Sequence, residues 1–429
     1  MDKFVIEGGV PLKGEIRISG SKNAALPLMA AALLADGKTT LRNIPALHDI
    51  LTFNNVMRVT GARVEFEAAS ETLTIDPENI YYPEAPYELV RKMRASFYML
   101  GALLGRGGYA RVSLPGGCAW GPRPVDLHLE GMKAFGANIR LEEGYVVAEL
   151  PEKANGLSGG QYKLSPSSVG ATVNLLLATV KGTATAVIEN AAKEPDVVQL
   201  CHFLTQMGAN IDGIGTSTLR IQGVSSLKGV TFDNAPDRIE TGTFMILAAM
   251  HPESQLTLTN TAPDDLGFFT DWFRKTGAEI TIEGSSIHLK APQTIQPVSV
   301  ITEIYPGFPT DLQAQWATLM TQAEGESHVT DTIYPDRFSY VPELARLGAN
   351  IKVRNNTAVI KGKTPLSGTS IMSTDLRASV SLVMAAMCAS GRSEVLRVYH
   401  LDRGYARLEE KLNQAGARIT RVNGDVEEA

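Results

Sequence analysis

The sequence predicts an α/β protein of two closed domains, each made of three copies of a unit roughly 70 residues long. Three observations predict it. The first is a Gly-Ala step between an amphipathic helical pattern and an alternating strand pattern, recurring as TGARVEFE, FGANIRLE, MGANIDGI, TGAEITIE, LGANIKVR and AGARITRV. Its glycines, Gly61, Gly136, Gly208, Gly277, Gly348 and Gly416, are 75, 72, 69, 71 and 68 residues apart. Spacing that regular marks a repeated folding unit. Each glycine falls where a helix C-terminus needs a positive φ, and the residues after it alternate with strand period.

The second observation is an apolar helix ahead of each step: KNAALPLMAAALL, RASFYMLGALL, VGATVNLLLAT, TGTFMILAAM, DLQAQWATLM and RASVSLVMAAM. These are apolar nearly all round, so they are expected to be buried. A short turn and a strand follow, as in TTLRNIP, ARVSLPG and TATAVIENA. The unit therefore reads strand–helix–strand–helix–strand–strand. The third observation concerns the ends. Units one to five close with a second hairpin strand (TLTIDP, VVAELP, TLRIQG, SIHLKA, TAVIKG), whereas unit six stops at RITRVNGDVEEA. The N-terminal FVIEGGVPLKGEIRI matches TLRIQGVSSLKGVTF in pattern, so the first 21 residues are expected to complete the last unit. The expected domains are residues 22–235, carrying the Cys118 loop, and residues 1–21 plus 236–429. A chain that crosses twice between them implies a two-stranded hinge beside a cleft.

Composition agrees with folded domains of this size. A length of 429 residues accommodates two or three of them, and 44% hydrophobic with 20% charged residues excludes a disordered chain. A formal charge of -6 argues against coating nucleic acid. No apolar run approaches the roughly 18 residues of a membrane span. The start, MDKFVIEGG, lacks the basic and apolar regions of a signal peptide, so a cytoplasmic protein is expected. Cys118, Cys201 and Cys388 make neither a disulfide framework nor a metal cluster. HExxH, P-loop and Rossmann fingerprints are lacking, so no metal or cofactor is expected.

The chemistry is concentrated where the apolar helices begin. Lys22 and Asn23, Arg94, Ser168, Glu240, Asp311 and Arg377 stand at these starts, where unpaired N–H groups and the helix dipole favour anions. Taken singly, Lys22 and Arg94 read equally well as solvated positions, and Asp311 as a charge stabilising the macrodipole. Unlike residues at like places on apolar helices favour a site for a phosphorylated or carboxylated substrate. Cys118 lies in the Gly- and Pro-rich segment LPGGCAWGPRPVDLH, near Arg123. A thiol there can be acidified, or can be a plain loop cysteine. Cys201 and Cys388 sit on apolar helices as core thiols.

GSKNAALPLMAAALLADG, LPGGCAWGPRPVDLH, SVGATVNLLLA, PDRIETGTF, PGFPTDLQAQ, and DLRAS followed by YHLDRGYARLEEKL resemble the UDP-N-acetylglucosamine enolpyruvyl transferases across essentially the whole chain. The resemblance implies two inside-out α/β barrel domains and transfer of the enolpyruvyl group of phosphoenolpyruvate to the 3′-hydroxyl of UDP-N-acetylglucosamine. Phosphate is released, in the first committed step of peptidoglycan synthesis, with consequences for cell shape and division. Among the residues, it implies that Lys22, Arg123 and Arg403 bind phosphoenolpyruvate. Asn23, Arg94, Arg123, Pro124, Val125, Asp126 and Leu127 would contact the sugar nucleotide, with Ser168, Val169 and Gly170 as the opposite wall and Asp311 and Ile333 as further contacts. Asp375, Arg377, Glu194 and Asp237 would line the cleft. Asp311 would be the base for the 3′-hydroxyl, with Lys22 and Arg403 also catalytic.

Cys118 would protonate the methylene carbon, form a covalent adduct with phosphoenolpyruvate, and be alkylated by fosfomycin. The chemistry fits an addition–elimination through a tetrahedral ketal, with cations clamped on carboxylate and phosphate. The nearest rival is the sister enzyme acting on shikimate 3-phosphate; the KNAALP segment and the GGC loop favour the nucleotide-sugar enzyme. A silent nucleotide-sugar binder is the rival of another class, and it would have no need of both an acid and a base.

Overall fold

The computed structural model describes residues 2–91, 93–115 and 125–423. The chain forms two compact units, Gly20–Ala235, and Met1–Ser19 together with Pro236–Ala429. Among the described residues are six four-stranded sheets, and all six share one topology. In the third, Gly160–Lys163 runs parallel to Thr185–Glu189, which pairs antiparallel with Thr218–Gln222, and that strand with Asn210–Asp212 at the far edge. One helix follows the first strand and a second follows the next, as the repeat predicts.

All six predicted turn glycines have φ between +94° and +113°. That is left-handed backbone, where a side chain would be strained, which is why glycine recurs at every helix-to-strand junction. The six apolar helices are buried as expected: Lys22–Ala32, Met99–Gly107, Val169–Thr179, Arg238–Ala249, Gln313–Met320 and Leu376–Cys388. Ser21, Ser168, Asp237 and Asp375 cap four of them by accepting first-turn N–H groups. Each Leu, Phe or Met sealed inside contributes ~1.5–3 kcal/mol relative to exposure.

The sheets send alternate residues toward these helices, as Phe4 and Ile6 do from strand Lys3–Glu7. Helices inside and sheets outside form the inside-out α/β arrangement. Small residues set the helix spacing. A Cβ on Gly101 would stand 2.4 Å from the Asn174 carbonyl oxygen, and one on Gly105 2.3 Å from that of Leu177. Met99–Gly107 and Val169–Thr179 can therefore pack backbone to backbone.

The N-terminal segment departs from expectation in one respect. Lys3–Glu7 does complete the sixth sheet, between Arg392–Leu396 and Arg418–Val422. Lys13–Arg17, however, joins the fourth sheet, parallel to Gln255–Thr259. In the other unit Thr231–Asp233, which follows the third sheet's last hairpin, likewise returns to the first sheet beside Thr39–Arg42. The two stretches that match in sequence thus match in topology. Each finishes the third sheet of its unit and then starts the first, which closes the three-unit ring.

Candidate active site

In the unit Gly20–Ala235, the expected residues stand at helix starts. Lys22 opens helix Lys22–Ala32, followed by Asn23, and Lys22 Nζ donates to Asp49 Oδ2 at 3.2 Å. Ser21, the cap of that helix, donates through Oγ to Asp196 Oδ1 at 3.1 Å. Asp196 lies in the first turn of helix Pro195–Met207, two residues after Glu194 at the cap position, so two helix starts are tied together. A second group forms nearby in the fold. Arg94 opens the short helix Arg94–Tyr98; Val125 and Asp126 begin helix Asp126–Ala134, with Leu127 next; Ser168 caps the helix that starts with Val169 and Gly170. His128, on the second of these helices, joins the three. Its ring is against Gly170, its Nδ1 is bonded to Asn174, and it lies within electrostatic reach of Arg94. Cys118, Arg123 and Pro124 lie outside the described residues.

The other unit carries a tight cationic–anionic cluster around Asp311. This residue sits in the turn Thr310–Leu312 that leads into helix Gln313–Met320. Its Oδ1 accepts from Arg337 Nη1 at 2.9 Å and its Oδ2 from Arg377 Nη2 at 2.8 Å. Burial alone would raise its carboxyl, but Arg377 and then Arg337 outweigh that and hold it well below the usual carboxylate range. For Arg377 the burial penalty is overcome by Asp311, then Tyr405 and Asp237, so the guanidinium stays charged. Arg377 also donates from Nη1 to the Tyr405 hydroxyl at 3.2 Å.

The surrounding contacts fix this cluster from several sides. Asp375 caps helix Leu376–Cys388 through the Arg377 and Ala378 N–H groups. Asp331 is fully buried and accepts from Thr310 Oγ1 at 2.7 Å and from the Ile333 N–H at 2.9 Å, which ties the Asp311 turn to the Ile333 turn. Asp237 caps helix Arg238–Ala249. Arg403 ends the short helix Val398–Arg403.

Glu240 corrects one sequence reading. It does not face a ligand at its helix start: it is sealed, accepting from Lys411 Nζ at 2.7 Å and from the Ser19 N–H at 2.6 Å. Sequence reasoning also passed over Arg337, Tyr405, Asp331, His128 and Asn174. Tyr405 stands in a quoted motif, YHLDRGYARLEEKL, and Arg337 in the segment 334–338, but neither is at the start of an apolar helix, so the rule that found Asp311 did not reach them. Cys201 is a buried core thiol as expected and Cys388 is half-buried against the core, and burial pushes both up to about 12.

Residues 6–412 match the family model for EPSP synthase (3-phosphoshikimate 1-carboxyvinyltransferase). The UDP-N-acetylglucosamine 1-carboxyvinyltransferase of Chloroherpeton thalassium is 53% identical over 426 residues, covering 99% of this chain and 98% of that one. The same-named protein of Chlorobium phaeovibrioides is 52% identical, covering 99% of both. Among solved structures, the enolpyruvyl transferase NikO from Streptomyces tendae superposes with a TM-score of 0.88 at 27% identity, over 98% of this chain and 99% of that one. EPSP synthase of Acinetobacter baumannii shares the fold, with a TM-score of 0.78 at 20% identity over 99% of this chain and 100% of that one. Fold and relatives together define a transferase of the carboxyvinyl class. Within that class, the chain belongs to the EPSP synthase family of enolpyruvyl transferases. No helix among the described residues is long and apolar enough to cross a membrane.

Proposed function

We propose that this chain transfers the enolpyruvyl group of phosphoenolpyruvate to the 3′-hydroxyl of UDP-N-acetylglucosamine, releasing phosphate, as the first committed step of cell-wall synthesis in the cytoplasm. The observation that carries the reading is full-length identity of about half to proteins named for this acceptor. The Asp311 cluster supports it: a carboxylate held ionised beside two guanidinium groups, at the start of a core helix. On this reading the two compact units are the enzyme's two domains. Glu194, Asp237, Asp375 and Arg377 then line the substrate-bearing surfaces.

The residues divide the work as follows. Lys22, Arg123 and Arg403 hold the carboxylate and phosphate of phosphoenolpyruvate. Asn23, Arg94, the stretch Arg123–Leu127, Ser168–Gly170 and Ile333 hold the sugar nucleotide. The Cys118 S–H gives its proton to the methylene carbon, and the 3′-oxygen attacks the central carbon as Asp311 takes its proton. The ketal then loses phosphate, and a methyl proton returns to the Cys118 thiolate as the vinyl group is regenerated. Fixed cations stabilise the charge that develops along this path.

Asp311 orients the 3′-hydroxyl as a hydrogen-bond acceptor and is the base that takes its proton; the two arginines lower its proton affinity, so the transfer accompanies formation of the new C–O bond rather than preceding it. The same reading makes Cys118 the thiol that fosfomycin alkylates. Phosphate release with phosphoenolpyruvate plus UDP-N-acetylglucosamine, run beside shikimate 3-phosphate, tests the proposal. Release only with the nucleotide sugar is expected. Release only with shikimate 3-phosphate assigns the sister activity, and release with neither alongside retained nucleotide-sugar binding assigns a silent binder.

A further inference from the structure

In the unit Gly20–Ala235, one buried imidazole has a proton whose position the backbone dictates. His128 is 4% exposed, and its Nδ1 lies 2.8 Å from Asn174 Nδ2. Asn174 Oδ1 accepts from the Gly101 N–H at 2.9 Å, and Nδ2 donates to the Phe97 carbonyl at 3.1 Å. Turning the amide over would set its NH₂ against an N–H and its oxygen against a carbonyl, so only this orientation satisfies both backbone groups. The remaining Nδ2 hydrogen then points at His128 Nδ1, which must be an acceptor. The ring proton is therefore on Nε2. Burial, then the Arg94 charge, push the imidazole down to about 3, so the ring is neutral at physiological pH.

The Nε2 edge faces the start of helix Val169–Thr179. A Cβ on Gly170 would stand 3.3 Å from Nε2 and 3.2 Å from Cε1, so glycine is what leaves room for this edge. Among the described residues, the hydrogen bonding of His128 is confined to Asn174 on the Nδ1 side. An N–H donor is thus held at a helix N-terminus, beside the first-turn N–H groups and near Arg94, with its partner still to be supplied. A buried histidine with a purely structural task would have both nitrogens engaged.

We propose that His128 is a further ligand-binding residue: its Nε2–H donates to an anionic oxygen bound at the start of helix Val169–Thr179, and Asn174 is the positioning residue that fixes the donor tautomer. On the reading of the preceding section, on which this inference rests, the oxygen belongs to the diphosphate of the nucleotide sugar. An uncharged donor adds direction there without adding to the Arg94 charge.

Calorimetric titration of UDP-N-acetylglucosamine and of UDP into the wild-type protein, His128→Phe and His128→Gln tests the contact. Loss of a hydrogen bond to a charged oxygen weakens binding about tenfold or more. That loss is expected for both ligands in His128→Phe, with part restored by the neutral amide of His128→Gln and the KM for phosphoenolpyruvate unmoved. Equal affinities in all three proteins overturn the proposal. In ¹⁵N-labelled wild-type protein, the Nε2–H resonance is expected to shift on adding UDP, which packing alone would not require; an unmoved resonance also overturns it. If the wild-type protein binds no nucleotide sugar, the functional reading fails by itself. Inorganic diphosphate is then the probe: binding lost in His128→Phe sustains the contact, and binding retained overturns it.

Discussion

Glu240 and Asp311 are carboxylates at corresponding places, each in the first turn or lead-in of a core helix in the same unit, and each is paired with cations. Their surroundings differ. The Glu240 side chain is 2% exposed and shares Lys411 with Ser19, whose N–H it also accepts. The Asp311 side chain is 27% exposed and bridges two arginines. A sealed pair can only hold the fold together; an open carboxylate between guanidinium groups can also meet a ligand. Position in the repeat therefore nominates a residue, and exposure with partner geometry decides what it does.

The comparison is tested most severely at Asp311. Asp311→Ala is expected to lower kcat by about 10²–10⁴-fold, the span typical of a lost proton-transfer group. Nucleotide-sugar affinity should fall by no more than about tenfold, one hydrogen bond's worth. Rate assays beside calorimetry would read the split, and equal losses in both would make Asp311 a binding residue only. Glu240→Ala should do the reverse. It strips the buried Ser19 N–H and Lys411 of their shared acceptor at a nearly closed site, a loss of about 1–3 kcal/mol of stability for each group left unsatisfied, with kcat unchanged in whatever fraction stays folded. A denaturant midpoint near that of the wild type would show that Glu240 and Lys411 are not a sealed pair.

The repeat was legible because only glycine relieves the left-handed backbone at Gly61 and its five counterparts, so the period is written in one residue type. That Lys3–Glu7 closes the sixth sheet was legible from pattern. The destination of Lys13–Arg17 was not, since a strand of five residues with one buried side chain says nothing about which parallel partner it takes. Asp311 and Arg377 stood out as charges on apolar helices. Arg337 did not, because its role comes from a turn brought to Asp311 by the fold. Asn174 was hidden for the opposite reason: one polar residue inside VGATVNLLLAT reads as tolerated variation until Gly101, Phe97 and His128 surround it.

The smallest and sharpest contrast lies in acid. The folded-state carboxyl of Asp311 is held below its unfolded value, so its contribution to stability is complete above the ordinary carboxylate range, about pH 4, and is lost only as pH falls below it. Glu240 has the opposite sign. Burial raises its carboxyl, against the opposing pull of Lys411, so the folded state gains relative stability as pH falls toward the ordinary glutamate range. Urea midpoints of the wild type, Asp311→Asn and Glu240→Gln, taken from pH 7 to pH 3, separate the two. The wild-type advantage over Asp311→Asn should stay level to about pH 4 and then shrink, while the wild type should gain on Glu240→Gln over the upper part of that range. Parallel curves for the two variants would mean that the two carboxylates share one environment, and the distinction between a sealed pair and an open one would fall.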